Sequence, residues 1–205
     1  ATAAADGEVI IWDLSDYTAI AATRQSYVGK SKPHSIQRIA RFGDGARCLC
    51  WITDVAVIVG YGDCHVRCFN SGSGDLEWTI PTAHRKPVSA ITCWVETKLA
   101  YLVTGSLDGS VRVWNLSTRE MMMQFAEHLK GVTGLLIDAI NPHLFHSAGS
   151  DCAAFTHDIS EGKRTVGHMM REGAFTGLTA AGPAGRPAGP SAGPTGSVPA
   201  GIQKK

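Results

Sequence analysis

Between residues 88 and 125 the apolar and polar positions alternate, merge and alternate again in a way that spells out strands. Val88 to Val95 alternates apolar and small residues, the pattern of a half-buried strand, and Leu99-Ala-Tyr-Leu-Val-Thr-Gly is a continuous apolar run, as in a strand covered on both faces. Ser110 to Asn115 alternates once more, and Glu120-Met-Met-Met-Gln-Phe makes a weaker fourth strand. The dipeptide Asp108-Gly109 between the second and third runs is a hairpin signal, with glycine supplying the positive φ. Short turns joining four such runs predict one antiparallel sheet. The same grammar fits residues 46–81 and 132–170, whereas residues 1–42 supply only the later strands of a unit, closing on Ser35-Ile-Gln-Arg-Ile-Ala-Arg. The stretch from Ser15 to His34 reads as an insertion, and Gly173-Ala-Phe-Thr-Gly-Leu-Thr as the first strand of a further unit.

The units carry a common cassette: a small-residue run, an aspartate, then a strand ending in a ring. Its copies contain Asp6 and Trp12, Asp63 and Phe69, Asp108 and Trp114, and Asp151 and His157. The aspartates are 57, 45 and 43 residues apart, and the rings are spaced identically. A period of this length is the signature of a stacked or radial repeat architecture.

Composition narrows the function more than the fold. Hydrophobic residues make up 44% of the 205 and charged residues 18%, with a net charge of +1 and no block of Lys and Arg, so a nucleic-acid partner has little electrostatic support. No apolar run reaches the ~18 residues of a membrane-spanning helix, and no charged-then-apolar leader opens the chain. The six cysteines (Cys48, Cys50, Cys64, Cys68, Cys93, Cys152) fall mostly inside predicted strands and read as reduced thiols in a cytosolic-type compartment. Cys48 and Cys50 with Cys64, Cys68 and His65 lack the C-x2-C spacing of a zinc knuckle, so no metal and no cofactor are expected. From Gly182 the chain turns to Gly, Pro, Ala and Ser without a three-residue glycine period, which excludes collagen and predicts a disordered tail or linker over 181–205.

Taken together, the repeats resemble the WD40 family of β-propellers. The best segment is 84–116: His84, then Val88-Ser-Ala-Ile-Thr-Cys-Trp, then Leu-Val-Thr-Gly-Ser-Leu-Asp108-Gly, then Val-Arg-Val-Trp114-Asn; Trp12-Asp13 matches the dipeptide that names the family. The resemblance implies an all-β fold of about four four-stranded blades over residues 1–180, partial at both ends. The family usually has more blades, and the chain opens on Ala1 inside a repeat, so a fragment of a larger propeller is expected; the alternative is a closed four-blade ring completed by the strand at 174–180. The resemblance also implies a structural hydrogen-bond network of His84, Thr104 or Ser106, Asp108 and Trp114, with His128, Ser147 and Asp151 as its counterpart in the last unit. These residue types mimic a catalytic triad, but no Gly-x-Ser-x-Gly elbow presents a nucleophile. Phe69 and His157 replace the tryptophan, and a Gly43-Asp-Gly turn replaces the histidine before the second unit, so the second and fourth units should be held more by packing than by polar networks.

Propellers of this family bind through loops and strand ends on one face. The matching positions precede each turn aspartate (Gly62, Leu107, Ser150) or follow each loop histidine (Arg85, Lys86, Leu129), and Tyr61, Arg85, Lys86 and Leu107 are the contact candidates. Met121-Met122-Met123 is explained as well by packing and an exposed edge as by a binding surface. The insertion, with Tyr17, Arg24, Tyr27, Lys30, Lys32 and His34, is a mildly basic recognition loop suited to an acidic protein surface. The resemblance therefore implies a non-enzymatic scaffold holding protein subunits in a large cytoplasmic assembly, such as a microtubule-associated complex of the ciliary or flagellar axoneme. A second reading is a substrate receptor or adaptor of a ubiquitin-ligase or signalling complex that reads peptides. A hydrolytic or metal enzyme lacks a recurring carboxylate pair or His-x-His set.

Overall fold

Every regular element among the described residues is a strand. The computed structural model describes residues 1–12, 35–39, 44–96, 99–170 and 173–178. The insertion at 15–34, Asp13 and the tail at 181–205 lie outside them. The first sheet holds β1 (Thr2–Ala3), β2 (Val9–Trp12) and β3 (Ser35–Ile39). The second holds β4 (Ala46–Thr53), β5 (Ala56–Tyr61), β6 (Val66–Asn70) and β7 (Leu76–Ile80). The third holds β8 (Val88–Val95), β9 (Ala100–Ser106), β10 (Val111–Asn115) and β11 (Met121–Phe125). The fourth holds β12 (Val132–Ile137), β13 (Leu144–Gly149), β14 (Ala153–Asp158) and β15 (Lys163–Met169). Strands neighbour one another in chain order, so each sheet is an antiparallel meander, as the alternation and the turn signals require. The expected short supply of strands at the start is what the three-stranded first sheet shows.

The turn aspartate of the cassette has one local task in all four copies. Its Oδ1 accepts the backbone N–H two residues on: Glu8 at 3.0 Å from Asp6, His65 at 3.2 Å from Asp63, Ser110 at 2.8 Å from Asp108 and Ala153 at 3.3 Å from Asp151. This Asx turn satisfies a donor that the hairpin would otherwise leave unpaired. The residue after each aspartate is left-handed: Gly7 (φ 84°), Cys64 (68°), Gly109 (85°) and Cys152 (64°). Glycine adopts this freely, whereas a cysteine there is strained. At Gly109 a side chain would also strike the carbonyl oxygen of His128, 2.4 Å from a Cβ. The polar residue after the ring caps the next turn in the same fashion. Asn70 Oδ1 accepts from Gly72 and Ser73, Asn115 from Ser117 and Thr118, and Asp158 from Ser160 and Glu161.

The chain divides into two compact units, residues 1–88 and 89–205. In the first, Val9 and Ile11 of β2 pack with Val57, Val59, Tyr61 and Phe69 of the second sheet. In the second, Val103, Val111, Val113 and Phe125 of the third sheet pack with Val132, Phe145 and Ile159 of the fourth. Each side chain so buried contributes about 1.5–3 kcal/mol. A Cβ on Gly105 would lie 2.5 Å from Cγ1 of Val132, so the small residue sets how closely β9 and β12 approach. Ser89 Oγ donates to Val132 O at 2.5 Å, stitching the third sheet to the fourth, and Thr133 Oγ1 donates in the same way to Phe175 O, also at 2.5 Å. Residues 173–178 thus lie on the fourth sheet as β12 lies on the third, although they are not themselves a strand.

Candidate functional site

Across the sheets, a ring at the end of one strand faces the residue ten positions earlier on its neighbour. Trp12 Nε1 donates to Thr2 Oγ1 at 2.9 Å, and Trp114 Nε1 donates to Thr104 Oγ1 at 2.8 Å. In the fourth sheet His157 Nε2 and Ser147 Oγ are 2.8 Å apart. In the second sheet Phe69 has no N–H, and the position ten before it is Val59; both are fully buried in one apolar cluster. Hydroxyl and ring donor are present together or absent together, which leaves neither unpaired in the core.

In the third sheet both hydroxyls are engaged. Thr104 is the partner of Trp114, while Ser106 Oγ accepts the backbone N–H of Asp108 at 3.1 Å. Asp108 Oδ1 also accepts from Ser110 Oγ at 2.6 Å. His84 is buried.

The fourth sheet, expected to be held more by packing than by a polar network, carries a continuous one. His128 Nδ1 sits 3.0 Å from Asp151 Oδ1, His128 Nε2 is 2.9 Å from Ser147 Oγ, and Ser147 passes the chain on to His157. Asp151 Oδ2 accepts the backbone N–H of Leu129 at 2.7 Å. Burial alone would push the Asp151 carboxyl up, but the hydrogen bonds from His128 and Leu129 outweigh it and hold the carboxyl below its usual range. Gly149 makes room for the pair, since a Cβ there would lie 2.5 Å from both His128 Nδ1 and Asp151 Oδ1. His157 stacks on Phe145 at 4.7 Å and lies 4.6 Å from Phe125. Burial, and then the charges of His128, Arg164 and His146, push it down to about 3, so its imidazole is neutral. Histidine is smaller than tryptophan but keeps one donor nitrogen, and this is why the network survives the replacement.

Ser147, His128 and Asp151 have the connectivity of a hydrolytic triad. However, Ser147 has 0% exposure and its hydroxyl is engaged by a second imidazole, so no substrate reaches it. Among the described residues no three His, Cys, Asp or Glu side chains group as metal ligands, and no helix is long and apolar enough to cross a membrane. All six cysteines are free thiols, and burial pushes Cys48 up to about 12.

The contact candidates divide. Tyr61 is overturned as a surface anchor: it is fully buried, edge-on to Phe69, with its hydroxyl unpartnered and burial pushing it up to about 12. Tyr61 precedes Asp63 by two residues as Gly149 precedes Asp151, so the second sheet has a large ring where the fourth has a glycine. Asp63 turns instead to Arg67, whose Nη2 donates to Oδ2 at 2.7 Å while the guanidinium covers the Tyr61 ring at 4.7 Å. Arg85 and Lys86 are exposed. Leu107 is 39% exposed and lies over Gly131, while Leu129 is 87% exposed although its own N–H is held by Asp151. Leu129 stands directly after the loop histidine, and only the position of that histidine in the cassette marks it in the sequence.

Repeated antiparallel meanders, three of them four-stranded, each with an Asx-turn aspartate and a ring closing the strand that follows it, define the class: these are β-propeller blades. Residues 74–115 match the family described as "WD domain, G-beta repeat", and the chain has the fold of WD40-repeat proteins. Among solved structures it is similar to "Structure of U3-55K" (TM-score 0.57, 19% identity, covering 64% of this chain and 41% of that one) and to "Crystal structure of RRP9 WD40 repeats" (0.57, 20%, 64% and 41%). Among curated proteins it is 34% identical over 92 residues to the sterol regulatory element-binding protein cleavage-activating protein of Xenopus laevis, covering 45% of this chain and 6% of that protein. It is 30% identical over 100 residues to human striatin (47% and 12%) and 26% identical over 152 residues to rat striatin-3 (72% and 18%). The chain therefore spans less than a fifth of the length of these relatives.

Proposed function

We propose that the chain is a non-enzymatic protein-interaction module within a larger assembly, and that it engages a partner through the loops at the Asx-turn end of the third and fourth sheets. The observation that carries this reading is Leu129: its side chain is 87% exposed while its backbone is tied to a buried carboxylate 2.7 Å away. An apolar side chain on a loop that cannot collapse to cover it contributes to binding at small entropic cost. Leu107 lies against Gly131 on the adjoining turn, and Lys130 stands exposed between the two loops, which suits a partner segment with an apolar anchor and a carboxylate. Arg85 and Lys86, exposed on the loop before β8, are further contacts of the same kind.

The test is capture of partners by the intact chain compared with Leu107→Glu and Leu129→Glu. Loss of a specific, stoichiometric partner by both variants, with their thermal unfolding unchanged, is the expected result. Retention of the same partner by both would remove this face from consideration. The narrower settings, an axonemal microtubule complex and a ubiquitin-ligase or signalling complex, are separated by what co-purifies. Residues 1–180 as propeller blades and 181–205 as a linker complete the reading, checked by limited proteolysis cutting after 181 first.

A further inference from the structure

The hydrogen-bonded chain of the fourth sheet ends on two polar atoms without partners. His157 Nδ1 and Glu127 Oε2 are both buried and make no hydrogen bond, yet they face each other at 3.5 Å. His157 is 1% exposed, and the rings of Phe125, Phe145 and Phe155 surround it, so bulk water does not solvate either atom there.

The protons along the chain can be counted from its other end. Counting from an ionised Asp151 and neutral imidazoles, Asp151 takes the Nδ1 proton of His128, and His128 Nε2 then accepts from the Ser147 hydroxyl. With its hydrogen so used, the Ser147 oxygen accepts from His157 Nε2. His157 Nδ1 is left as a bare lone pair aimed at a carboxylate oxygen. With no proton between these atoms, two acceptors oppose each other in a low-dielectric site; with two, two donors do. One proton satisfies both.

We propose that Glu127 and His157 bind one proton between them, which makes the chain Asp151–His128–Ser147–His157–Glu127 a proton-uptake site with a carboxyl group at each end. The other charged or titratable groups that act on His157 are His128, Arg164 of β15 and His146 of β13, all of which oppose a full positive charge on the imidazole. Asp151 lies beyond His128 at the far end. The second and third sheets have no such site, because Phe69 and Trp114 offer no second ring nitrogen.

Glu127→Gln tests this, because the amide carries a permanent donor to Nδ1 and needs no proton. Between about pH 5 and pH 8 the folded wild-type pair retains its proton while the unfolded histidine loses one near its ordinary value of about 6.5. The folded variant retains none there. The ratio of folding constants, wild type over variant, should therefore fall by up to about tenfold per pH unit as pH rises across that window. A ratio that stays constant would overturn the proposal. Should the variant fail to fold, nitrogen-15 NMR of the histidines in the unaltered chain decides. A His157 Nδ1 resonance shifted by a shared or bound proton at neutral pH is expected, and a bare, unbonded Nδ1 resonance would rule the site out.

Discussion

The second and fourth sheets have both lost the tryptophan that closes the strand pair in the first and third, and they compensate in opposite directions. The second sheet drops the ring–hydroxyl pair: Phe69 has no donor, Val59 no acceptor, and Asp63 is taken up by Arg67, while the Tyr61 hydroxyl stays buried without a partner. The fourth keeps the polar chain and lengthens it, with His157 hydrogen-bonded to Ser147 and bringing a second nitrogen that faces Glu127. One scaffold position thus tolerates an apolar or a hydrogen-bonded solution, provided that every member of the set changes together. Half-converted sets are what the core penalises, because an unpaired buried polar group costs more than a missing hydrogen bond.

The contrast is broken most directly at the aspartates. Asp151→Ala leaves His128 Nδ1 and the Leu129 N–H without acceptors in a buried site, and should lower stability by about 3–5 kcal/mol in chemical denaturation. Asp63→Ala should cost only about 1–2 kcal/mol, because that carboxylate is more exposed and Arg67 keeps its place over Tyr61. Equal losses would mean that the two sheets are not built differently. Both carboxyls are held below their ordinary value: burial opposes this in each, and the bonds from Arg67 and His65, or from His128 and Leu129, overcome it. Their contribution is therefore complete above about pH 4 and is lost as pH falls through the lowered folded value, so Asp151→Asn should flatten the acid limb of the stability profile more than Asp63→Asn.

Ser147→Ala should cost about 2–3 kcal/mol, since it strands a nitrogen on each of two histidines, against about 1 kcal/mol for Thr104→Val, which strands the Trp114 N–H. The sharper experiment is a double-mutant cycle in the second sheet. Val59→Thr alone should lose about 1–2 kcal/mol by burying a hydroxyl against Phe69, and Phe69→Trp in the same chain should restore part of that loss. Purely additive effects would show that ring and hydroxyl do not act as a set. The smallest effect is at the turns: Cys64→Gly and Cys152→Gly should each stabilise by about 0.5 kcal/mol, as the left-handed φ is released from strain at some cost in unfolded-chain entropy.

Much of this was legible in the residues. Alternation and turn dipeptides locate the strands of 46–81, 88–125 and 132–170, because a meander of adjacent strands needs only local signals. His128, Ser147 and Asp151 stand at cassette positions, and the structure joins them. Three features were not legible. Tyr61 reads as a surface contact because it stands beside a turn aspartate, but it ends a strand buried along its whole length, and a continuous apolar run does not tell which residues face a neighbouring sheet. Thr2 as the partner of Trp12, and Glu127 opposite His157, depend on where strands and loops register across a sheet, which no single strand encodes.

The pairing of ring and hydroxyl ten residues apart also constrains how such a chain can change over generations. A codon change that turns the tryptophan into phenylalanine leaves a hydroxyl stranded, and one that turns the threonine into valine strands an indole. Either intermediate is handicapped by an amount comparable with a fair part of a domain's whole stability margin. Each blade's pair therefore behaves as a single inherited character, and in the second sheet Phe69 and Val59 are apolar together.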